Sequence, residues 1–259
     1  MAPSISCTLL LLIGAAAAMP APATLNYLPR AQNASCAPGG KFDLSMFSLQ
    51  LPTGSKGKVD QVSASKMKGC QGYENKEYFF SSDAGSLVMK VPGSSESSGC
   101  VTTPNSKHCR TELRESSPSS WDSNGSLNRL KVSLSVKKAD DSKYGTVIGQ
   151  VKVDDSVSKK PVAELFINKS GTLTIGVSQI PNQSSLKMTE IGSVKIGEKF
   201  EYELRYEKGE LSVGINGGEM RKMSTGELKS PPSYFKAGNY NQGDSPSEVE
   251  FFSIEVQHS

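Results

Sequence analysis

From Phe42 to the C-terminus, apolar and polar residues alternate in short runs. Leu130, Val132, Leu134 and Val136 are interleaved with Lys131, Ser133, Ser135 and Lys137, the pattern of a strand with one buried face. Leu173, Ile175 and Val177 repeat it, as do Tyr202, Leu204 and Tyr206, then Leu211, Val213 and Ile215; Val249 to Val256 is a closing strand. Turn formers separate the runs: Lys169-Ser170-Gly171, Lys208-Gly209 and Asn216-Gly217-Gly218. No long stretch keeps a helical period, and no internal repeat is visible. Many short antiparallel strands predict an all-β fold, a two-sheet β-sandwich or jelly roll with one sheet curved into a concave groove.

Three runs put polar residues where a core face would be apolar. In Tyr234-Phe-Lys-Ala-Gly-Asn-Tyr-Asn-Gln242, one face carries Tyr234, Lys236, Gly238, Tyr240 and Gln242. In Arg110-Thr-Glu-Leu-Arg-Glu115, Arg110, Glu112 and Arg114 share a face, with Thr111, Leu113 and Glu115 on the other. In Gln150-Val-Lys-Val-Asp154, Gln150, Lys152 and Asp154 stand in front of Val151 and Val153. A core would have to satisfy each of these groups with a buried partner, whereas a ligand-facing groove uses them. Three such strands predict one cleft. The bland readings are an exposed ladder of ion pairs for Arg110, Glu112 and Arg114, half-buried packing for Tyr234 and Tyr240, and a solvated face position for Lys236.

Length, charge and cysteines narrow the picture. The chain has 259 residues and a net charge of +3. The length suits a single all-β domain, and the charge does not point to nucleic acid but is compatible with an acidic polymer. Residues 1–20 read as a secretory signal, with Leu9 to Ile13 as the apolar centre and Ala15 to Ala18 as small residues for cleavage. That run falls short of the roughly 20 residues that cross a membrane. Residues 21–34 read as a flexible or pro-segment, and 35–259 as one domain. Cys7 lies in the signal, leaving Cys36, Cys70, Cys100 and Cys109. Four cysteines allow three pairings; Cys36–Cys70 with Cys100–Cys109 is favoured, since the second closes a short loop just before Arg110. A zinc site is the alternative, but no CxxC spacing supports it. Sequons stand at Asn33, Asn124, Asn168 and Asn182.

The runs Arg110-Thr-Glu-Leu-Arg-Glu115, Gly149-Gln150 and Tyr234 to Gln242 resemble the three signature strands of the jelly-roll alginate lyases, polysaccharide lyase family seven, over about Cys36 to Val256, and most closely its secreted fungal members. That resemblance implies a β-elimination on a β-1,4-linked polyuronate: neutralising the uronate carboxylate, removing the C5 proton and protonating the departing O4. It implies neutralisation by Gln150 and one or both of Arg110 and Arg114, and catalysis by Tyr240. It further implies substrate contacts for Glu112, Tyr234, Lys236, Asn239 and Gln242. No cofactor or metal is expected, and a monomer acting on an acidic polysaccharide, outside the cell and without membrane or nucleic-acid partners, is the expected context. A free phenol titrates near pH ~10, so Tyr240 needs a nearby cation to serve as base; Lys236 and the arginines are the candidates.

One departure stands out. Family members usually read Gln-Ile-His or Gln-Val-His where this chain reads Gln150-Val151-Lys152. Three readings follow: Tyr240 acts alone as base and acid, in the syn geometry of mannuronate or glucuronate; Lys152 is the base, its pKa lowered by Arg110 and Arg114; or the protein binds polysaccharide without turnover. The first is favoured, with Lys152 adding positive charge for the substrate, and mannuronate-rich alginate is the expected polymer, glucuronan the alternative. His108, beside Cys109, reads as a structural residue at a strand start. A hydrolase would need a carboxylate pair, for which Glu112 and Asp154 are available. Gly-, Ser- and Lys-rich segments at 53–66, 93–107 and 180–188 are expected as loops at the groove.

Overall fold

A computed structural model describes Met1 and residues 36–259, Ser184 excepted. Residues 2–35, and with them nearly all of the expected signal peptide, the segment 21–34 and the sequon at Asn33, lie outside the described residues. Two antiparallel sheets form a sandwich. One has eight strands, in the spatial order β10 (Lys187–Ser193), β9 (Thr172–Val177), β8 (Pro161–Ile167), β7 (Thr146–Val153), β14 (Ser233–Tyr240), β5 (Arg110–Glu115), β1 (Phe47–Ser55) and β2 (Lys58–Val62). The other has seven: β13 (Arg221–Met223), β12 (Glu210–Ile215), β11 (Lys199–Glu207), β6 (Asn128–Lys138), β15 (Ser247–His258), β4 (Leu87–Val91) and β3 (Phe79–Ser81).

The alternation read from the sequence is the register of the core. β6 sets Leu134 against Phe200 on β11 and Phe251 on β15, and Val132 against Tyr202. Facing them across the sandwich, Leu49, Leu113, Ala237, Val151, Ala163 and Leu165 are fully buried or nearly so on the inner side of the larger sheet. Burying one such aliphatic side chain is worth roughly 1.5–3 kcal/mol. A one-residue slip of β6 would exchange Leu130, Val132 and Leu134 for Lys131, Ser133 and Ser135, so the pattern fixes the register.

The expected strands form, with shifted ends: the Tyr234 run stops pairing at Tyr240, and the Gln150 run at Val153. The segment 53–66 differs more. It holds the end of β1, all of β2, and the helical turn α1 (Ala64–Met67) begins within it. Alternation is invisible in Lys58-Val-Asp-Gln-Val62 because this edge strand buries only Val59 and Val62. The segment 93–107 contains the turn α2 (Ser95–Ser98), and 180–188 runs into β10.

Both expected disulfides are present, Cys36–Cys70 and Cys100–Cys109. Glu115, on the inner face of β5, is fully buried and accepts hydrogen bonds from Trp121 Nε1 and the Phe235 amide, each 2.8 Å. His258 Nε2 lies 2.5 Å from its other oxygen, while His258 Nδ1 meets Asn128 at 2.8 Å. The penultimate residue thus ties β15 to the end of β5. Among the described residues, no helix is long and apolar enough to cross a membrane.

Candidate active site

β8, β7, β14 and β5 lie side by side, and their registers put the polar residues in rows on the outer face. Lys236 stands between Gln150 on β7 and Arg114 on β5; Tyr234 pairs with Lys152, Gly238 with Glu112, and Tyr240 with Arg110. The rows form the floor of a cleft of about 370 Å³, whose walls include Ser106, His108, Asp155, Lys159 and Lys160. Gly238 is required: a Cβ there would come within 2.5 Å of Glu112 Cα and 2.7 Å of the Thr111 carbonyl.

Glu112 organises the floor. It is 1 % exposed and accepts hydrogen bonds from Lys236 Nζ and Gln150 Nε2, with Arg110 at 3.4 Å. Burial disfavours its charge, yet Lys236 and Arg110 hold the carboxyl below its usual range. Lys236 also reaches Gln50 Oε1 at 2.9 Å. Glu112 therefore lies beneath the cleft and holds Gln150, Lys236 and Arg110 in place, rather than meeting substrate as the sequence suggested. Asn239 is a clearer correction. It is fully buried on the opposite face, where its Oδ1 accepts from Thr146 and Ser247, each at 2.8 Å, and its Nδ2 donates to the Met89 carbonyl at 3.1 Å. Odd and even positions of a strand face opposite ways, so Asn239 supports the sandwich and cannot share the cleft with Tyr240.

The remaining residues reach the cleft in different states. Arg110 is buried, lies 4.0 Å over the Tyr240 ring, and its Nε has no hydrogen-bond partner. Arg114 is committed: it pairs with Asp155 at 2.9 Å and lies 4.5 Å over the Tyr234 ring, whose hydroxyl donates to Asp155 at 3.3 Å. Tyr240 packs with Val147 and Phe166, and its hydroxyl is 2.8 Å from Ser106 Oγ. Burial raises its phenol above the ordinary value against the pull of Arg110. The cations expected to turn Tyr240 into a phenolate do not outweigh its burial, and it carries its proton at neutral pH. Burial lowers Lys152 to about 8, and its ammonium donates to the Lys159 carbonyl at 2.6 Å. Gln242 turns its amide back on the carbonyls of Tyr240 and Asn241 at the cleft's edge. Asp154 does not line the cleft; its Oδ1 accepts from the Ser156 amide and hydroxyl.

Two further residues line the cleft: His108, read from the sequence as structural, and Glu164, which the sequence reading did not name. The His108 ring stands edge-on 6.0 Å from Tyr240, and burial with the Arg110 charge lowers its pKa, leaving a neutral imidazole. Glu164 lies on β8 opposite Gln150. A lone charge in the otherwise apolar run Pro161-Val-Ala-Glu-Leu-Phe-Ile167 was the signal for it.

Comparison with known proteins gives the family. The alginate lyase family model matches residues 42–258. The chain belongs to the alginate lyase family. Over 81 residues it is 43 % identical to an alginate lyase of Klebsiella pneumoniae, a match spanning 30 % of this chain and 24 % of that relative, so about a quarter of the relative's length. The family 7 alginate lyase A1-II′, crystallised as a Tyr→Phe variant with the product GGG, superposes with a TM-score of 0.72 at 26 % identity, covering 86 % of this chain and all of that one. An alginate lyase of Pseudomonas aeruginosa gives 0.69 at 26 % identity, covering 84 % of this chain and 100 % of that one. The same A1-II′ protein was crystallised with the substrate GGMG as a variant lacking both a histidine and a tyrosine.

Proposed function

We propose that the protein is a secreted polysaccharide lyase that cleaves alginate by β-elimination and leaves an unsaturated uronate at the new chain end. The observation that carries this reading is Arg110: a buried guanidinium with an unpartnered Nε, paired across the strands with Tyr240 and stacked on its proton-bearing phenol. A guanidinium offers a carboxylate forked, charge-assisted hydrogen bonds. With the Gln150 amide it offsets the negative charge that develops as C5 loses its proton. Arg114, spent on Asp155, positions Tyr234 instead. Tyr240, holding its proton, is the acid that delivers it to O4 as the C4–O4 bond breaks. Lys152, Lys159 and Lys160 add positive charge along the cleft for a polyanion. Two disulfides accord with an oxidising compartment.

This assignment changes the expected substrate preference. A leaning toward mannuronate rested on Tyr240 acting alone as base and acid; a protonated phenol leaves the base to another group, and alginate is named here without a preferred uronate. The test is the near-ultraviolet absorbance of new C4–C5 double bonds on polymannuronate, polyguluronate and glucuronan, with wild type and Tyr240→Phe. We expect a rise on at least one alginate polymer, and a loss of about 10²- to 10⁴-fold in kcat for Tyr240→Phe. A rise on glucuronan alone would overturn the alginate assignment, and no rise on any polymer would overturn the lyase reading.

A further inference from the structure

One carboxyl in the cleft has no role in the scheme above. Glu164 opens onto the cleft between Gln150 of β7 and Gly176 of β9. Among the described residues, no hydrogen bond or ion pair engages its carboxylate. Lys152 faces it from β7, Arg110 and Glu112 from β5, and Lys236 and Tyr240 from β14. On the β9 side Gly176 offers no side chain, and Leu186 and Met188 cover it so closely that a Cβ there would meet them at 2.9 and 2.7 Å. That apolar wall and its burial raise the carboxyl to about 7, with Lys152 pulling the other way. A half-buried carboxyl left without a partner costs stability, and such a cost is typical of a working group in a cleft.

We propose that Glu164 is the general base of the elimination, in place of the imidazole that Lys152 replaces; this rests on the lyase reading above. The other candidates are accounted for. Lys152 holds the Lys159 carbonyl, Tyr240 carries its proton, and His108 stands beside the acid, its ring 6.0 Å from Tyr240, so a proton taken from the face opposite Tyr240 needs another base. Glu164 is two strands from Tyr240 and two residues along β8 from Phe166, which shares Tyr240's row; at ordinary strand spacing and rise that is a backbone separation of about 12 Å, which leaves room for a sugar ring between base and acid. The Glu164 carboxylate takes the proton from C5. The C5–H electron pair becomes the C4–C5 double bond as the C4–O4 bond breaks, and O4 takes the Tyr240 proton. After product leaves, Glu164 gives its proton to water and Tyr240 regains one from water. A base that titrates near the working pH is what general-base catalysis favours.

The experiment measures kcat and KM against pH for wild type, Glu164→Gln, His108→Asn and Lys152→Met on a polymer that the wild type cleaves, with thermal unfolding at about pH 5 and pH 8. We expect Glu164→Gln to lower kcat about 10²-fold or more with little change in KM, and to abolish the acidic limb of the profile. Lys152→Met should move that limb to higher pH, because the cation that favours the carboxylate is gone. A carboxyl whose folded pKa lies above its unfolded value near ~4.3 stabilises the fold below that pH, and the stabilisation is lost as pH rises toward the folded value. Glu164→Gln should therefore unfold at a higher temperature than wild type at the higher pH, and with less advantage at the lower. Retention of more than about a tenth of kcat, an acidic limb that disappears in His108→Asn instead, or an inactive Glu164→Gln with lowered unfolding temperature at both pH values would each overturn the proposal. A wild type inert on every polyuronate would sink the lyase reading itself, whereas an active wild type matched by Glu164→Gln sinks this proposal alone.

Discussion

Arg110 and Arg114 are two positions apart on one face of β5, and the cleft treats them differently. Arg114 has the Asp155 carboxylate at 2.9 Å, whereas Arg110 has only the Glu112 carboxylate beneath it, at 3.4 Å, and stacks on the Tyr240 ring; the Nε of each is unpartnered. Arg110→Lys keeps the charge but loses the fork, and we expect kcat/KM to fall about 10²- to 10³-fold, the range for losing a donor to developing negative charge. Arg114→Lys, with Asp155 still beside it, should cost far less, and steady-state kinetics on one alginate polymer separates the two; equal losses would contradict the division of roles. The sequence showed that both arginines share a face with Glu112, because strand alternation is local. It did not show which one is spent, because Asp155 comes from a loop more than 40 residues downstream. Glu164 escaped for the same reason: its neighbours in the run are apolar, and only the sheet order brings it to Gln150. His108 was read as a structural residue, because nothing local shows that its loop returns to Tyr240.

At the level of elements, β14 carries the site because it is the central strand that touches both β7 and β5. Its long polar motif was legible as one groove face, with a single misreading: Asn239 fell to the inner side, where it satisfies Thr146, Ser247 and the Met89 carbonyl. Edge strands were the least legible, since β2 and β13 bury too little to impose an alternation. The loop before β5 has its own function. The Cys100–Cys109 disulfide closes it, and it delivers Ser106 to the Tyr240 hydroxyl at 2.8 Å and His108 to the cleft. Replacing both cysteines with serine should cost roughly 2–3 kcal/mol by the chain-entropy account of a short loop, and should also lower kcat through the loosened Ser106 contact. Denaturant unfolding and kinetics on the same variant check both; a stability loss with unchanged kcat would show that Ser106 does not position Tyr240.

For the whole molecule, the net charge of +3 is too small to draw a polyanion from a distance, so attraction must come from where the charges lie. The cleft lining collects Arg110, Arg114, Lys152, Lys159, Lys160 and Lys236 against two carboxylates, Asp155 and Glu164, and Asp155 is shared by Arg114 and Lys159; Lys195 and Lys222 elsewhere each have a carboxylate of their own, Glu198 and Glu210. Charges in a low-dielectric cleft focus the field on a bound chain, and salt screens that field beyond about 10 Å at 0.1 M. Raising ionic strength should therefore raise KM for the polymer several-fold while leaving kcat nearly constant, because the Arg110 and Glu112 pairs are buried from salt. Lys159→Gln should raise KM at low salt and flatten its salt dependence, whereas Lys195→Gln should do neither. If both variants behave alike, attraction belongs to the overall charge and the cleft has no special claim on the substrate; if kcat falls with salt as steeply as KM rises, the ions are reaching the floor of the cleft, and Glu112 does not shield the row it was assigned to hold.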